Sequence, residues 1–148
     1  MEVKVKKLVE EAIIPFYAKP GDAGLDLTAI SHEYDKEKDC HIYGTGLAIE
    51  IPEGYVGLLF PRSSNRKTNA YMCNHVGVID SGYRGEVMLS FKNRDKSEVN
   101  IPYLDAPYEV GNKVAQLIIL PYSIIKLIQV DELSETERGI GGHGSTGA

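Results

Sequence analysis

The sequence predicts an all-β fold, a sandwich, jelly roll or barrel with at most one short helix. Apolar and polar residues alternate with period two in short runs, glycine and proline punctuate those runs throughout, and no segment carries a long amphipathic helical stripe. Val3 and Val5 alternate with Lys4 and Lys6 in the first expected strand, and Leu25, Leu27 and Ala29 alternate with Asp26 and Thr28 in the next. The polar stretch from Ser31 to Asp39 is expected as an exposed loop or hairpin tip. Leu47, Ile49 and Ile51 form a further alternating run, and Val87, Leu89 and Phe91 another. The segment SSNRKTNA, starting at Ser63, is the best helix candidate. From Val114 to Leu120 the chain is nearly all apolar, which predicts a strand covered on both faces. Residues 1–133 are expected to form one β domain and 134–148 a C-terminal tail. The tail holds five glycines without an apolar pattern and should be mobile when nothing is bound.

A chain of 148 residues fits one domain that can bury a core without a metal or disulfide staple. With 43% hydrophobic and 25% charged residues it reads as globular rather than disordered. A net charge of −5 argues against a general nucleic-acid binder, though a few arginines can still make a local anion site. Cys40 and Cys73, the only two cysteines, fit free thiols in a reducing compartment. The N-terminus has no apolar run of signal-peptide or membrane-spanning length, so a soluble, cytoplasmic protein with no membrane partner is expected.

Five segments carry more than turn chemistry: AGLDLTA at 23–29, PRSSNRK at 61–67, NHVGVIDSGYRGEV at 74–87, GNKVAQLI at 111–118 and RGIGGHGSTG at 138–147. In the third, Asp, Ser and Gly form a hairpin turn, but Asp80 stands beside an aromatic and an arginine that a turn does not need. A carboxylate there is ionised at neutral pH and can accept a proton. In the second, Arg62 offers a forked donor, and Ser63 offers a hydroxyl and, at a helix start, a backbone N–H, a combination that suits phosphate. An exposed arginine before a serine helix cap would look the same. In the fourth, Gln116 interrupts an apolar strand, and a buried amide needs partners. The fifth is rich in glycine and hydroxyls, as many disordered termini are. Cys40, His41 and His32 could form a soft-metal cluster, but their spacing is poor for it.

The order, residue types and spacing of these segments resemble the five motifs of the trimeric dUTPases over almost the whole chain. The resemblance implies a distorted jelly-roll, or β-clip, fold and hydrolysis of dUTP to dUMP and pyrophosphate. Mg2+ would be the cofactor, held by phosphate oxygens and water, with Asp26 reaching it only through water. Asp80 would activate the attacking water, and Gln116 would contact that water and the α-phosphate. Arg62, Ser63 and Ser64 would bind phosphates, while Asn74, Gly77, Val78 and Ile79 would line a uracil slot. Tyr83 would pack under the deoxyribose and leave no room for a 2′-hydroxyl. Arg138, Gly142, His143, Gly144 and Ser145 would close over the nucleotide. The resemblance further implies a homotrimer with shared active sites. The chain departs from the family pattern at Ser64, where glycine is commonest, at Asn112, where an acid is usual, and at His143, where phenylalanine is typical. The alternatives are a dCTP deaminase-like enzyme, which would need a glutamate where this chain has Ser90, and a non-catalytic nucleotide-binding regulator of the same fold.

Overall fold

The computed structural model describes residues 1–94 and 106–142. Ten strands and one 3₁₀ helix account for its regular structure among these residues, so the all-β expectation holds. The strands are β1 (Lys4–Lys7), β2 (Leu25–Thr28), β3 (Ser31–Asp35), β4 (Cys40–Gly44), β5 (Leu47–Glu50) and β6 (Tyr55–Pro61). The 3₁₀ helix (Ser63–Lys67) follows, then β7 (Ala70–Met72), β8 (Gly77–Ile79), β9 (Met88–Asn93) and β10 (Lys113–Pro121). One four-stranded sheet has the order β2-β10-β6-β8, a second has β3-β4-β9-β7, and β1 pairs with β5. All pairings are antiparallel. No helix among the described residues is long and apolar enough to cross a membrane.

The three sheets enclose one core, which joins Leu27, Leu59, Ile79, Val114 and Leu117 of the first sheet to Tyr43, Met72, Leu89 and Phe91 of the second. Leu47 and Ile49 of β5 complete it. Tyr43, Phe91 and Tyr108 meet edge to face with centroids 5.2–5.9 Å apart, a geometry that places ring edges on the negative faces of their neighbours.

Two expectations need correction. The polar run from Ser31 is a strand as far as Asp35, and only residues 36–39 make the hairpin tip. His32 and Tyr34 supply its inward period. The His32 ring stacks on Tyr43 at 4.8 Å, and Tyr34 tilts against His41 at 5.1 Å. The Asp35 carboxylate then accepts the backbone N–H groups of Glu37 and Lys38, both at 3.0 Å, and turns the chain. The second correction concerns β10. It is central in its sheet, but cover on both faces ends after Leu117, and Leu120 is 45% exposed.

Beyond Pro121 the described chain forms no strand. Ile124, Ile125, Leu127, Ile128 and Leu133 are all at least 72% exposed. The chain also exposes Ile13, Ile14, Phe16 and Tyr17 near its start.

Candidate active site

The first sheet builds one half of the site on its outer face. Gln116 of β10 stands opposite Asp26 of β2 and Phe60 of β6, so Asp26, Gln116 and Phe60 form one row across three strands. A β-bulge at the start of β10 inserts one residue, with Lys113 opposite Thr28 and Ala115 opposite Leu27. The extra residue restores the alternation and turns Lys113 toward the face that carries Asp26 and Gln116. Val114 and Ala115 are both buried as a result.

Arg62 leaves β6 at the edge of this row. Its guanidinium grips Asp26 with two bonds, Nε to Oδ1 at 2.7 Å and Nη2 to Oδ2 at 3.1 Å. Lys113 Nζ donates to the same Oδ2 at 3.0 Å. Burial pushes the Asp26 carboxyl up, but the hydrogen bonds from Lys113 and Arg62 outweigh it and hold the carboxyl below its ordinary value. The remaining guanidinium nitrogen, Nη1, reaches Ser64 Oγ and the Lys113 carbonyl, each at 3.3 Å. Ser63 is exposed and Ser64 half-buried in the 3₁₀ helix that follows. The Gln116 amide donates to the Pro61 carbonyl at 3.2 Å. Its oxygen lies against Gly24, where an added Cβ would stand 2.6 Å from it.

The other half is the hairpin from Asn74 to Val87. β8 pairs with β6 so that Gly77 faces Leu59 and Ile79 faces Gly57. Gly77 and Ile79 point into the core, while Val78 is 64% exposed on the outer face. Asp80 and Asn74 are exposed at the two ends of β8. The Tyr83 hydroxyl donates to the Glu86 carbonyl at 2.9 Å and its ring lies over Gly85, where any Cβ would collide with it. The hairpin therefore presents a fixed aromatic ring beside a free carboxylate. Ser90, the deaminase position, lies in β9 of the second sheet with its carbonyl bonded to Cys73 N–H, and it offers no carboxylate.

Within the chain the hairpin residues and the Gln116 row stand apart. Ile79 is three rows from the row of Gln116 and two strands across, which is about 10 Å along the strands and about 10 Å between them. Asp80 is one residue further away. Arg138 folds back on its own turn, with Nε on the Gly141 carbonyl at 2.9 Å, and Gly142 is exposed. His143, Gly144 and Ser145 lie outside the described residues.

Sequence reasoning named the segments that hold Lys113 and Gly24 but did not single out either residue for the site, and the fold brings them against Asp26 and Gln116. The bulge that re-aims Lys113 has no local signal in the sequence, and Gly24 matters only because Gln116 comes from a distant strand. No group of three or more His, Cys, Asp or Glu among the described residues could hold a metal ion. His32 and His41 bond to each other instead, Nε2 to Nδ1 at 2.9 Å, and Cys40 precedes His41 in the strand and so points to the opposite face. Asp26 Oδ1 carries one bond, from Arg62, and keeps a lone pair for a water. That fits a divalent ion carried on phosphates and reached only through water.

Fold and site define a β protein that gathers a carboxylate, a guanidinium, an ammonium and an amide on one sheet face. The sequence model of the dUTPase family matches residues 10–147, and the chain belongs to that family. A deoxyuridine 5′-triphosphate nucleotidohydrolase of Clostridium kluyveri is 38% identical over 99% of both chains, and one of Nautilia profundicola is 40% identical over 99% of both. Among solved structures, the Staphylococcus bacteriophage 80alpha dUTPase with dUpNHpp, a G164S variant, superposes with a TM-score of 0.82 at 28% identity over 99% of both chains. The dUTPase of phage phi11, as a D95N variant described with a structural Mg(II) ion, gives 0.70 at 29% identity over 89% of this chain and 98% of that one.

Proposed function

We propose that the chain hydrolyses dUTP to dUMP and pyrophosphate by attack of water on the α-phosphorus, with Mg2+, in a homotrimer whose sites are shared between copies. The observation that carries this reading is the outer-face row of Asp26 and Gln116 with Arg62 and Lys113 beside it. A doubly held Asp26 fixes the guanidinium, and the guanidinium in turn reaches Ser64 of the helix. Such a fixed positive charge beside a serine hydroxyl suits a phosphate chain.

In this reading Arg62, Ser63 and Ser64 hold the phosphates beyond α, and Gln116 holds the α-phosphate and the water. Bound Mg2+ would neutralise phosphate oxygens, with Asp26 contacting its water shell. Asp80 takes the proton of the attacking water. Asn74, Gly77, Val78 and Ile79 read uracil through backbone donors and acceptors, which would leave buried polar groups unpaired against cytosine. The fixed ring of Tyr83 excludes a 2′-hydroxyl. Arg138 and residues 142–145, His143 among them, close over the nucleotide, so 134–148 act as a lid on a domain of residues 1–133.

In-line attack requires base, water and phosphorus within hydrogen-bond reach of one another. The separation between the Asp80 half and the Gln116 half in one chain therefore supports a site completed by a second copy. The exposed apolar segment 124–133 supports assembly as well. A solution location in the cytoplasm accords with substrate and cofactor.

The test is complementation. Asp80→Asn and Gln116→Ala are each expected to be nearly inactive alone. Co-expressed, they form mixed trimers in which about a quarter of the sites draw an intact Asp80 and an intact Gln116 from different copies. Recovery toward that fraction is expected, and no recovery would place both residues of a site on one chain.

A further inference from the structure

We propose that Tyr108 is a positioning residue for the phosphate-binding half: its hydroxyl, acting through Asn65, fixes the 3₁₀ helix that carries Ser63 and Ser64. The inference rests on the reading of Arg62, Ser63 and Ser64 as contacts to the phosphates beyond α.

The helix has little of its own to hold it. It is five residues long, buries none of them, and has no side-chain cap at Arg62. Short 3₁₀ turns have poor hydrogen-bond geometry and take their position from their surroundings. Here that support converges on Asn65. Its N–H donates to the Arg62 carbonyl at 2.9 Å, and its carbonyl accepts Thr68 N–H at 3.0 Å and Thr68 Oγ1 at 2.8 Å. Its side-chain Nδ2 donates to the Ala70 carbonyl at 3.1 Å. One residue thus ties the entry of the helix, its exit and the start of β7.

The Ala70 carbonyl can only accept, so the amide NH2 must face it and Oδ1 must face the other way. That oxygen receives Tyr108 Oη at 2.7 Å, with Thr68 Oγ1 also beside it at 3.2 Å, and the Tyr108 hydroxyl is the donor. Tyr108 is itself anchored. Its ring packs on Tyr43 and Phe91 in the core. The Tyr43 hydroxyl donates to the Tyr108 carbonyl at 2.9 Å and accepts its N–H at 3.1 Å. Tyr43 is completely buried. A continuous path thus runs from the rigid core of β4 through Tyr108 and Asn65 to the loop end of Arg62. Packing explains the ring of Tyr108 but not its hydroxyl, which reaches out of the core to a surface helix. Phenylalanine would fill the same space.

Tyr108→Phe tests the hydroxyl alone. The expected result is a KM for dUTP raised about three- to tenfold, the usual worth of one hydrogen bond, with kcat within about twofold of wild type. Affinity for dUpNHpp should fall by the same factor, while affinity for dUMP, which lacks the outer phosphates, stays unchanged. In an Asn65→Ala background the Tyr108→Phe change should cost much less than it does in the wild type, the remainder coming from the Thr68 hydroxyl beside Tyr108 Oη. An unchanged KM, an equal loss for dUMP and dUpNHpp, or full additivity with Asn65→Ala would each overturn the proposal. If Tyr108→Phe does not fold, Asn65→Ala carries the same comparison of dUpNHpp with dUMP. Arg62→Ala separates the two levels. If that variant keeps full dUpNHpp affinity, the phosphate reading itself fails, whereas a weakened Arg62→Ala beside an unaffected Tyr108→Phe removes only Tyr108.

Discussion

The two halves of the site differ in how far a single chain builds them. The half on β2, β10 and β6 is locked before any ligand arrives: Asp26 is held by three donor contacts from two residues, and Gln116 is held between the Pro61 carbonyl and Gly24. The half on the 74–87 hairpin leaves Asn74, Val78, Asp80 and Tyr83 on the surface, and the end of the chain from Tyr122 to Ile140 is exposed at every position. Charged groups on this face need preset partners, because a half-buried carboxylate left without its cations would be costly. The base-reading edge and lid proposed for these segments would need the opposite, free donors and room to receive a ligand. On the proposed function, the difference teaches that the chain would complete its phosphate holder alone and leave the nucleoside and lid contacts to ligand and to other copies.

The strongest way to break this comparison acts on the exposed half. Asp80→Asn should lower turnover about 10²- to 10⁴-fold, the usual worth of a positioned base, with dUpNHpp affinity nearly intact. Stopped-flow proton release measures it, and near-normal turnover would take Asp80 out of the chemistry. Removal of the chain from Arg138 onward should reduce kcat/KM about a hundredfold through loss of lid closure. Circular dichroism and light scattering should show an unchanged fold and assembly, because Arg138, Gly139 and Ile140 bury nothing in the chain. Collapse of the assembly would make the tail a structural arm instead.

The built half breaks more gently. Gly24→Ala places a Cβ 2.6 Å from Gln116 Oε1, which can move aside, and 3.2 Å from Gln116 Cβ, which asks a few tenths of an ångström of the strands. The expected outcome is about a tenfold lower kcat from the displaced amide, with a melting temperature close to wild type. A large loss of stability at normal kcat would show that the glycine serves packing alone.

The smallest effect concerns the core that supports the helix. Burial pushes the Tyr43 hydroxyl up to about 12, partly offset by its bond to the Tyr108 backbone. A raised value means that the folded state holds the proton more tightly. This contribution to stability is therefore complete below about pH 10 and lost as pH rises toward 12. Tyr43→Phe should cost about 1 kcal/mol at neutral pH through the lost hydrogen bonds and flatten the alkaline decline. Urea unfolding from pH 8 to 11.5 reads both, and parallel declines would show that Tyr43 does not titrate on unfolding.

The all-β class, strands β1, β2, β5, β9 and β10 and the short helix at Ser63 were legible in the sequence, because period-two alternation and turn residues are local signals. The same holds for the residue types at Asp26, Arg62, Asp80 and Gln116, whose chemistry stands out against apolar or glycine-rich neighbours. His32 and Tyr34 hid a strand among charges, since their inward faces depend on Tyr43 and His41 across the pair. Only the tertiary structure decided which residues share a face. One bulged residue in β10 turned Lys113 toward Asp26, pairing across β10 set Gln116 against Gly24, and the register of β8 on β6 kept Asp80 away from both. Register and bulges are properties of two strands at once, and no single stretch of sequence carries them.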